Sequence, residues 1–135
     1  MFVVDASMAV AWCFEDESGP GTDDVLHRLL LEGGIAPAHW PLEVANALRS
    51  AQRSGRVDQA AISRAQSIVT DLPIDVLPVE TSTALGLIEP ALRHDLTVYD
   101  AAYLGLADSR GLGVATLDSR LAAACRAAGV SLIEA

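Results

Sequence analysis

The chain has 135 residues, 51% of them hydrophobic, and a formal net charge of −9. Such a length suits a single domain, residues 1–135, with a real core, and such a composition excludes a disordered chain. No apolar run approaches the ~20 residues that span a bilayer and the apolar start lacks a basic leader, so a cytoplasmic chain with no membrane contact is expected.

Phe2-Val3-Val4 reads as a short strand, and Ser7 is placed to cap a helix whose apolar positions include Met8, Val10, Ala11 and Trp12. Glu15 to Gly21 is a turn, followed by a helix from Thr22 to Glu32 that Gly33-Gly34 stops. Ile35-Ala36 is a brief strand, and Pro41 suits the first turn of a helix running to Ser54. Asp58 caps the next helix, which extends to Asp71 before Pro73. Ile74 to Val79 reads as a short or edge strand because Pro78 interrupts it.

Thr81 to His94 predicts one helix kinked at Pro90. Tyr99 to Ser109 predicts another, with Asp100 in its first turn. Val114 to Leu117 reads as a buried strand, Ser119 to Ala128 as a helix closed by Gly129, and Val130 to Ile133 as a last strand. Strands alternating with helices predict an α/β fold of three layers, α/β/α, around a mainly parallel sheet of about five strands.

Asp5, Glu43, Asp100 and Asp118 each interrupt or abut an apolar segment, where an unpaired carboxylate costs several kcal/mol or takes up a proton. Asp5 and Asp118 lie at the carboxyl ends of predicted strands, the rim on which open α/β sheets bind ligands. Asp100 opens a helix, and Glu43 shares a helix with Asn46 one turn later. If the first and fourth strands are neighbours, three of these acids share one rim and Glu43 leans in above it. Carboxylates about 4 Å apart repel by roughly 4 kcal/mol per pair at an effective dielectric near 20. Mg²⁺ or Mn²⁺, hard ions that prefer carboxylate oxygen, would resolve that conflict, and phosphodiester hydrolysis is the chemistry that uses such sites.

The remaining features read more plainly. All nine basic residues are arginines; Arg49, Arg53 and Arg56 recur at helical spacing, with Arg64 beyond, as a basic stripe or a solvated helix face. His27, His39 and His94 lack metal-ligand spacing and read as structural or solvent-facing, Trp12 and Trp40 as core or interface anchors, and Cys13 and Cys125 as buried, reduced thiols. The glycines around Pro20 and Leu112 lack the third glycine of a dinucleotide loop. A phospho-accepting signalling domain also gathers acids around Mg²⁺, but uses a lysine, and this chain has none.

Asp5-Ala-Ser7 after an initial strand, Glu43-Val-Ala-Asn46 on a helix, Tyr99-Asp100-Ala-Ala-Tyr103 and Thr116-Leu-Asp118 occur in one order along essentially the whole chain. Together they resemble the PIN-domain nucleases, most closely the VapC-type toxins of toxin–antitoxin pairs. The resemblance implies a Mg²⁺- or Mn²⁺-dependent endoribonuclease, with Asp5 and Asp100 as principal metal ligands and Asp118 and Glu43 acting directly or through water. It further implies that Ser7, Asn46 and Thr116 support that pocket by hydrogen bonds. Homodimers, a cognate antitoxin that blocks the acidic cleft, and substrates such as exposed loops of transfer or ribosomal RNA also follow from it. Two alternatives share the fold: an RNA-maturation nuclease outside such pairs, and a non-catalytic module that binds RNA or a partner. Asp95 stands where the family often has glycine; aspartate tolerates the left-handed conformation, so that turn should survive.

Overall fold

The computed structural model describes residues 1–134. Strand β1 (Phe2–Val4) leads to α1 (Ala6–Cys13) and α2 (Pro20–Glu32), and β2 (Gly34–Pro37) to α3 (Trp40–Arg53) and α4 (Gln59–Asp71). Strand β3 (Ile74–Leu77) precedes α5 (Thr81–Leu85), α6 (Ile88–His94) and α7 (Val98–Arg110), and β4 (Val114–Ala115) precedes α8 (Ser119–Ala128). The strands form one parallel sheet in the order β3-β2-β1-β4, with Phe2 opposite Gly34, Val4 opposite Ala115 and Ile35 opposite Asp75. Parallel neighbours require crossover connections, and every connection here is helical.

Strand β1 is flanked on both sides, and Phe2, Val3 and Val4 are each fully buried, as a central strand of three apolar residues should be. Helix α7 packs against β1, β2 and β4 and is joined by α6 and α8, while α1 gathers α2, α3 and α4. Gly34 lets α2 pack close to the sheet: a Cβ there would lie 2.7 Å from Leu29 Cδ1 and 3.0 Å from Val4 Cγ2.

The structure departs from the sequence expectation at particular places. The kinked helix is two helices, α5 and α6, broken at Gly86-Leu87. Pro90 has no N–H for the Gly86 carbonyl and its ring crowds that group, so it sits instead in the first turn of a fresh helix, where no donor is needed. Strand β4 ends at Ala115, short of the expected Leu117, because Thr116 turns away. The expected last strand is a single bridge between Leu132 and Val114, giving four strands and one rung among the described residues. Ser7 caps nothing: Asp5 occupies the N-cap position of α1 and Ser7 lies inside the helix. Asp95 takes the left-handed conformation (φ 53°, ψ 50°).

Arg56 lies beyond the end of α3, so the arginine stripe is not continuous. Trp12 and Trp40 are buried anchors. Both cysteines are free, and burial pushes their thiols up to about 11.

Candidate active site

Because Val4 pairs with Ala115, the next residue on each strand, Asp5 and Thr116, emerges side by side at the carboxyl edge of the sheet. The Asp5 backbone N–H still donates to the Ala115 carbonyl at 3.0 Å, which fixes where its side chain starts. Asp5 is only 5% exposed, the one charged residue among the buried of the described residues. Thr116 Oγ1 donates to Asp5 Oδ2 at 2.6 Å and Ser7 Oγ donates to the same oxygen at 2.7 Å. Each hydroxyl is itself aimed by an amide: Asp118 N–H donates to Thr116 Oγ1 and Leu117 N–H to Ser7 Oγ, both at 3.0 Å. An amide that donates to a hydroxyl oxygen leaves the hydroxyl proton free to point at the carboxylate. Both hydroxyls are spent on Oδ2, and Oδ1 accepts no hydrogen bond among the described residues.

Asp118 caps α8, its Oδ1 accepting from the N–H groups of Arg120 (2.8 Å) and Leu121 (3.0 Å). Asp100 sits in the first turn of α7, which Thr97 caps by accepting the Asp100 N–H at 3.1 Å. Glu43 occupies the first turn of α3 and is gripped from two sides. Tyr103 donates its hydroxyl to Glu43 Oε1 at 2.7 Å, and His39 Nε2 lies 2.9 Å from the same oxygen, off the line of a well-directed hydrogen bond. The ring of His39 meets Tyr103 edge-on at 5.2 Å and Tyr99 at 5.1 Å, which fixes its position.

Asp5, Ser7, Glu43, Asp100 and Asp118 line one open cavity of about 320 Å³, together with Val10, Glu17 and Ala47. The acids feel one another. Burial first, then the charges of Asp118, Asp5 and Glu43, holds the Asp100 carboxyl above its ordinary range. Burial also raises Asp5, against the hydrogen bonds from Thr116 and Ser7, with Glu43 and Asp118 adding to the rise. Burial pushes Glu43 up as well, but the contacts from His39 and Tyr103 outweigh it and its carboxyl ends below its usual range. Burial and the bond to Glu43 drive the Tyr103 hydroxyl far upward, so it remains a donor.

Asn46 does not join this group. It is exposed on α3, and the residue of that turn that lines the cavity is Ala47. At 100° per residue, positions 46 and 47 fall on opposite sides of Glu43, and the cavity is on the side of Ala47. The sequence reading also missed the grip on Glu43. His39 stands four residues before Glu43, an i,i+4 spacing that the sequence shows and that carries the contact. Tyr103, fully buried and sixty positions from its partner, gave no local sign.

The donor set fits a hard divalent cation. Its oxygens are carboxylates, Asp5 keeps one oxygen free of hydrogen bonds, and burial, with the neighbouring acids adding to it, leaves Asp5 and Asp100 reluctant to ionise. Among the described residues no three His, Cys, Asp or Glu side chains are drawn into a cage.

The sequence profile of the PIN domain matches residues 2–127. Ribonuclease VapC12 of Mycobacterium tuberculosis is 36% identical over 124 residues, covering 90% of each chain. Ribonuclease VapC1 of the same organism is 36% identical over 126 residues, covering 90% of this chain and 89% of its own. Among solved structures, PAE2754 from Pyrobaculum aerophilum superposes with a TM-score of 0.70 at 29% identity, over 91% of this chain and 84% of the other. Mycobacterium tuberculosis VapC20, a sarcin-ricin loop cleaving toxin, has the same fold at 19% identity, with a TM-score of 0.70 over 100% of both chains. A profile spanning nearly the whole sequence and relatives alike from end to end lead to one conclusion: the chain belongs to the PIN-domain family, and its relatives there are VapC proteins.

Proposed function

We propose that the protein is a Mg²⁺- or Mn²⁺-dependent endoribonuclease of the VapC type, the toxin of a toxin–antitoxin pair. The observation that carries this reading is the meeting of Asp5, Glu43, Asp100 and Asp118, from four separate parts of the chain, around one cavity. Relatives named ribonucleases support the RNA substrate, and exposed loops of transfer or ribosomal RNA are the class proposed. A cognate antitoxin fits a chain of charge −9, whose acidic cleft would attract a basic segment. Exposed Leu42, Val79, Val98 and Tyr99 line one apolar groove, which supports a homodimer. No helix among the described residues is long and apolar enough to cross a membrane, and the proposed setting is the cytoplasm.

A bound divalent ion would supply charge neutralisation and lower the pKa of the attacking water. Asp5 and Asp100 would be its principal holders, with Asp118 and Glu43 completing the set directly or through water. Ser7 and Thr116 hold Asp5 by one oxygen and leave the other free of hydrogen bonds, and the amides of α8 fix one Asp118 oxygen. Tyr103 fixes Glu43 in the same manner.

The test of the activity is cleavage of transfer and ribosomal RNA with Mg²⁺ or Mn²⁺, in parallel with EDTA. Cutting is expected only with metal, and equal cutting in EDTA overturns the reading. One relative, VapC9 of Pyrobaculum aerophilum, is named an exonuclease, so a covalently closed RNA circle belongs in the assay. An endonuclease opens the circle; an enzyme that needs an end leaves it intact. Expression alone should arrest growth, relieved by co-expression of the neighbouring small reading frame.

Tyr103→Phe keeps the buried ring and removes only the bond to Glu43. Such charge-assisted bonds are worth about 1.5–3 kcal/mol, and partial loss of that positioning is expected to lower kcat about 5–20-fold with little change in KM. Steady-state kinetics on one defined RNA would check this; an unaltered kcat removes Tyr103 from the site.

A further inference from the structure

The cavity does not end at the four acids. It continues between α1 and α3 over Val10 and Ala47 to Glu17, on the loop that follows α1. That loop is acidic, Glu15-Asp16-Glu17, and it stands beside a cleft already crowded with carboxylates. Left alone, like charge would push it outward and would also repel an incoming phosphodiester.

One side chain from outside the loop opposes this. Arg56, just past the end of α3, donates Nη2 to both carboxylate oxygens of Asp16 at 2.9 and 2.8 Å. The same nitrogen lies 3.5 Å from Glu17 Oε2, and the guanidinium carbon sits 4.8 Å from the centre of the Phe14 ring. Phe14 is buried, so the stack ties the arginine to the core rather than to another mobile surface group. Glu17 N–H and Ser18 N–H both donate to the Phe14 carbonyl, which makes the loop a compact turn moving as a unit with that ring. A single cation thus ties Phe14 and Asp16 to Glu17, the residue of this loop that lines the cleft.

We propose that Arg56 is a positioning residue for the ribonuclease: it clamps the Phe14–Ser18 loop as a wall of the cleft and neutralises Asp16 and Glu17 so that RNA phosphates can approach. The inference rests on the proposed ribonuclease activity. Arg56 Nη2 is spent on Asp16 and Glu17, so its part in the proposal is to remove their charge from the mouth rather than to touch RNA itself.

The test compares wild type, Arg56→Ala, Arg56→Lys and the triple variant Arg56→Ala/Asp16→Ala/Glu17→Ala. RNA affinity is read by fluorescence anisotropy of a labelled mixed-sequence stem-loop RNA with Mg²⁺ present, in an Asp100→Asn background so that the probe stays whole. Cleavage by each chain with native Asp100 is measured in parallel. Arg56→Ala is expected to weaken binding about 3–10-fold at low salt, the loss fading toward 0.5 M salt, with kcat within about twofold. Arg56→Lys should recover part of the loss, since it restores the charge without the planar stack. The triple variant should bind as tightly as wild type or more so, because the repelling acids have gone with their counter-charge.

A triple variant as weak as Arg56→Ala overturns the proposal in favour of direct contact with RNA. Wild-type affinity in Arg56→Ala overturns it outright. These outcomes are separable from failure of the parent reading, in which native wild type itself neither cuts nor binds RNA.

Discussion

Asp100→Asn is expected to abolish RNA cleavage and, in the same molecule, to raise the melting temperature. If Asp100 is a principal carboxylate, as proposed, its loss removes several kcal/mol of transition-state stabilisation, a fall on the order of 10²–10³-fold in kcat. The gain in stability has its origin in the burial of Asp100 and, after it, in the charge of the neighbouring acids. Burial and the charges of Asp118, Asp5 and Glu43 raise the Asp100 carboxyl, so the folded chain holds that proton more tightly than the unfolded one. Stability from this group is therefore lost as pH rises through the ordinary carboxylate value, ~3.9, toward the raised folded value, and the whole cost is present at neutral pH. Asparagine keeps the shape and drops the charge. Asp100 is partly open to solvent, so screening limits the gain to about 1 kcal/mol, or roughly 2–6 °C. Differential scanning calorimetry should show the gain at pH 7 and none near pH 3, where both states are protonated. Added Mg²⁺ should narrow the difference, since it stabilises the wild type by neutralising the same charge. A destabilised, fully active Asp100→Asn would contradict the account.

Thr116→Val should do the opposite on stability and nearly as much harm to activity. Its hydroxyl joins two acids: it donates to Asp5 Oδ2 at 2.6 Å and accepts the Asp118 N–H at 3.0 Å. Valine has the same outline, so packing is preserved while a buried carboxylate loses one of its two donors. A bond to a charged group contributes about 1.5–3 kcal/mol and the abandoned amide adds to the loss, for a total of about 2–4 kcal/mol. Activity should fall about 10–100-fold, the usual cost of removing a group that orients a metal ligand. The metal concentration needed for half-maximal rate should rise with it. Thr116→Ser, which keeps the hydroxyl, should stay within a few-fold of wild type. Equal loss in both variants would assign the effect to packing.

The architecture was legible in the sequence because periodicity reports burial. The all-apolar run Phe2–Val4 and the helix-strand alternation are enough for a parallel sheet, and four-strand order β3-β2-β1-β4 puts β1 beside β4 as the acids required. What was not legible depends on partners distant in the chain. Ser7 has every local property of a cap, yet it lies two residues past the N-cap Asp5, and its hydroxyl is given to Asp5 beside Thr116 instead. Asn46 and Ala47 differ in the sequence by chemistry alone; which of them faces the cavity is set by the roll of α3 against α1. Pro90 predicts a disturbance but not its place, since the fault falls at the residue whose carbonyl the ring displaces. The arginines looked alike at helical spacing, yet Arg56 left the row for Asp16, Glu17 and Phe14.

The first three residues after Met1 form the middle of the sheet, and one of their two neighbours, β4, begins only at Val114. A growing chain therefore makes its central strand long before the neighbour that encloses it on one side. The hydroxyl of Thr116 reaches Asp5 across 111 positions, and Asp118 follows two residues later. No nascent fragment that stops short of them has an assembled cleft. Chain order thus keeps the acidic cleft unassembled until β4 and the start of α8 have been made, and makes closure of the sheet the slow, non-local event of folding.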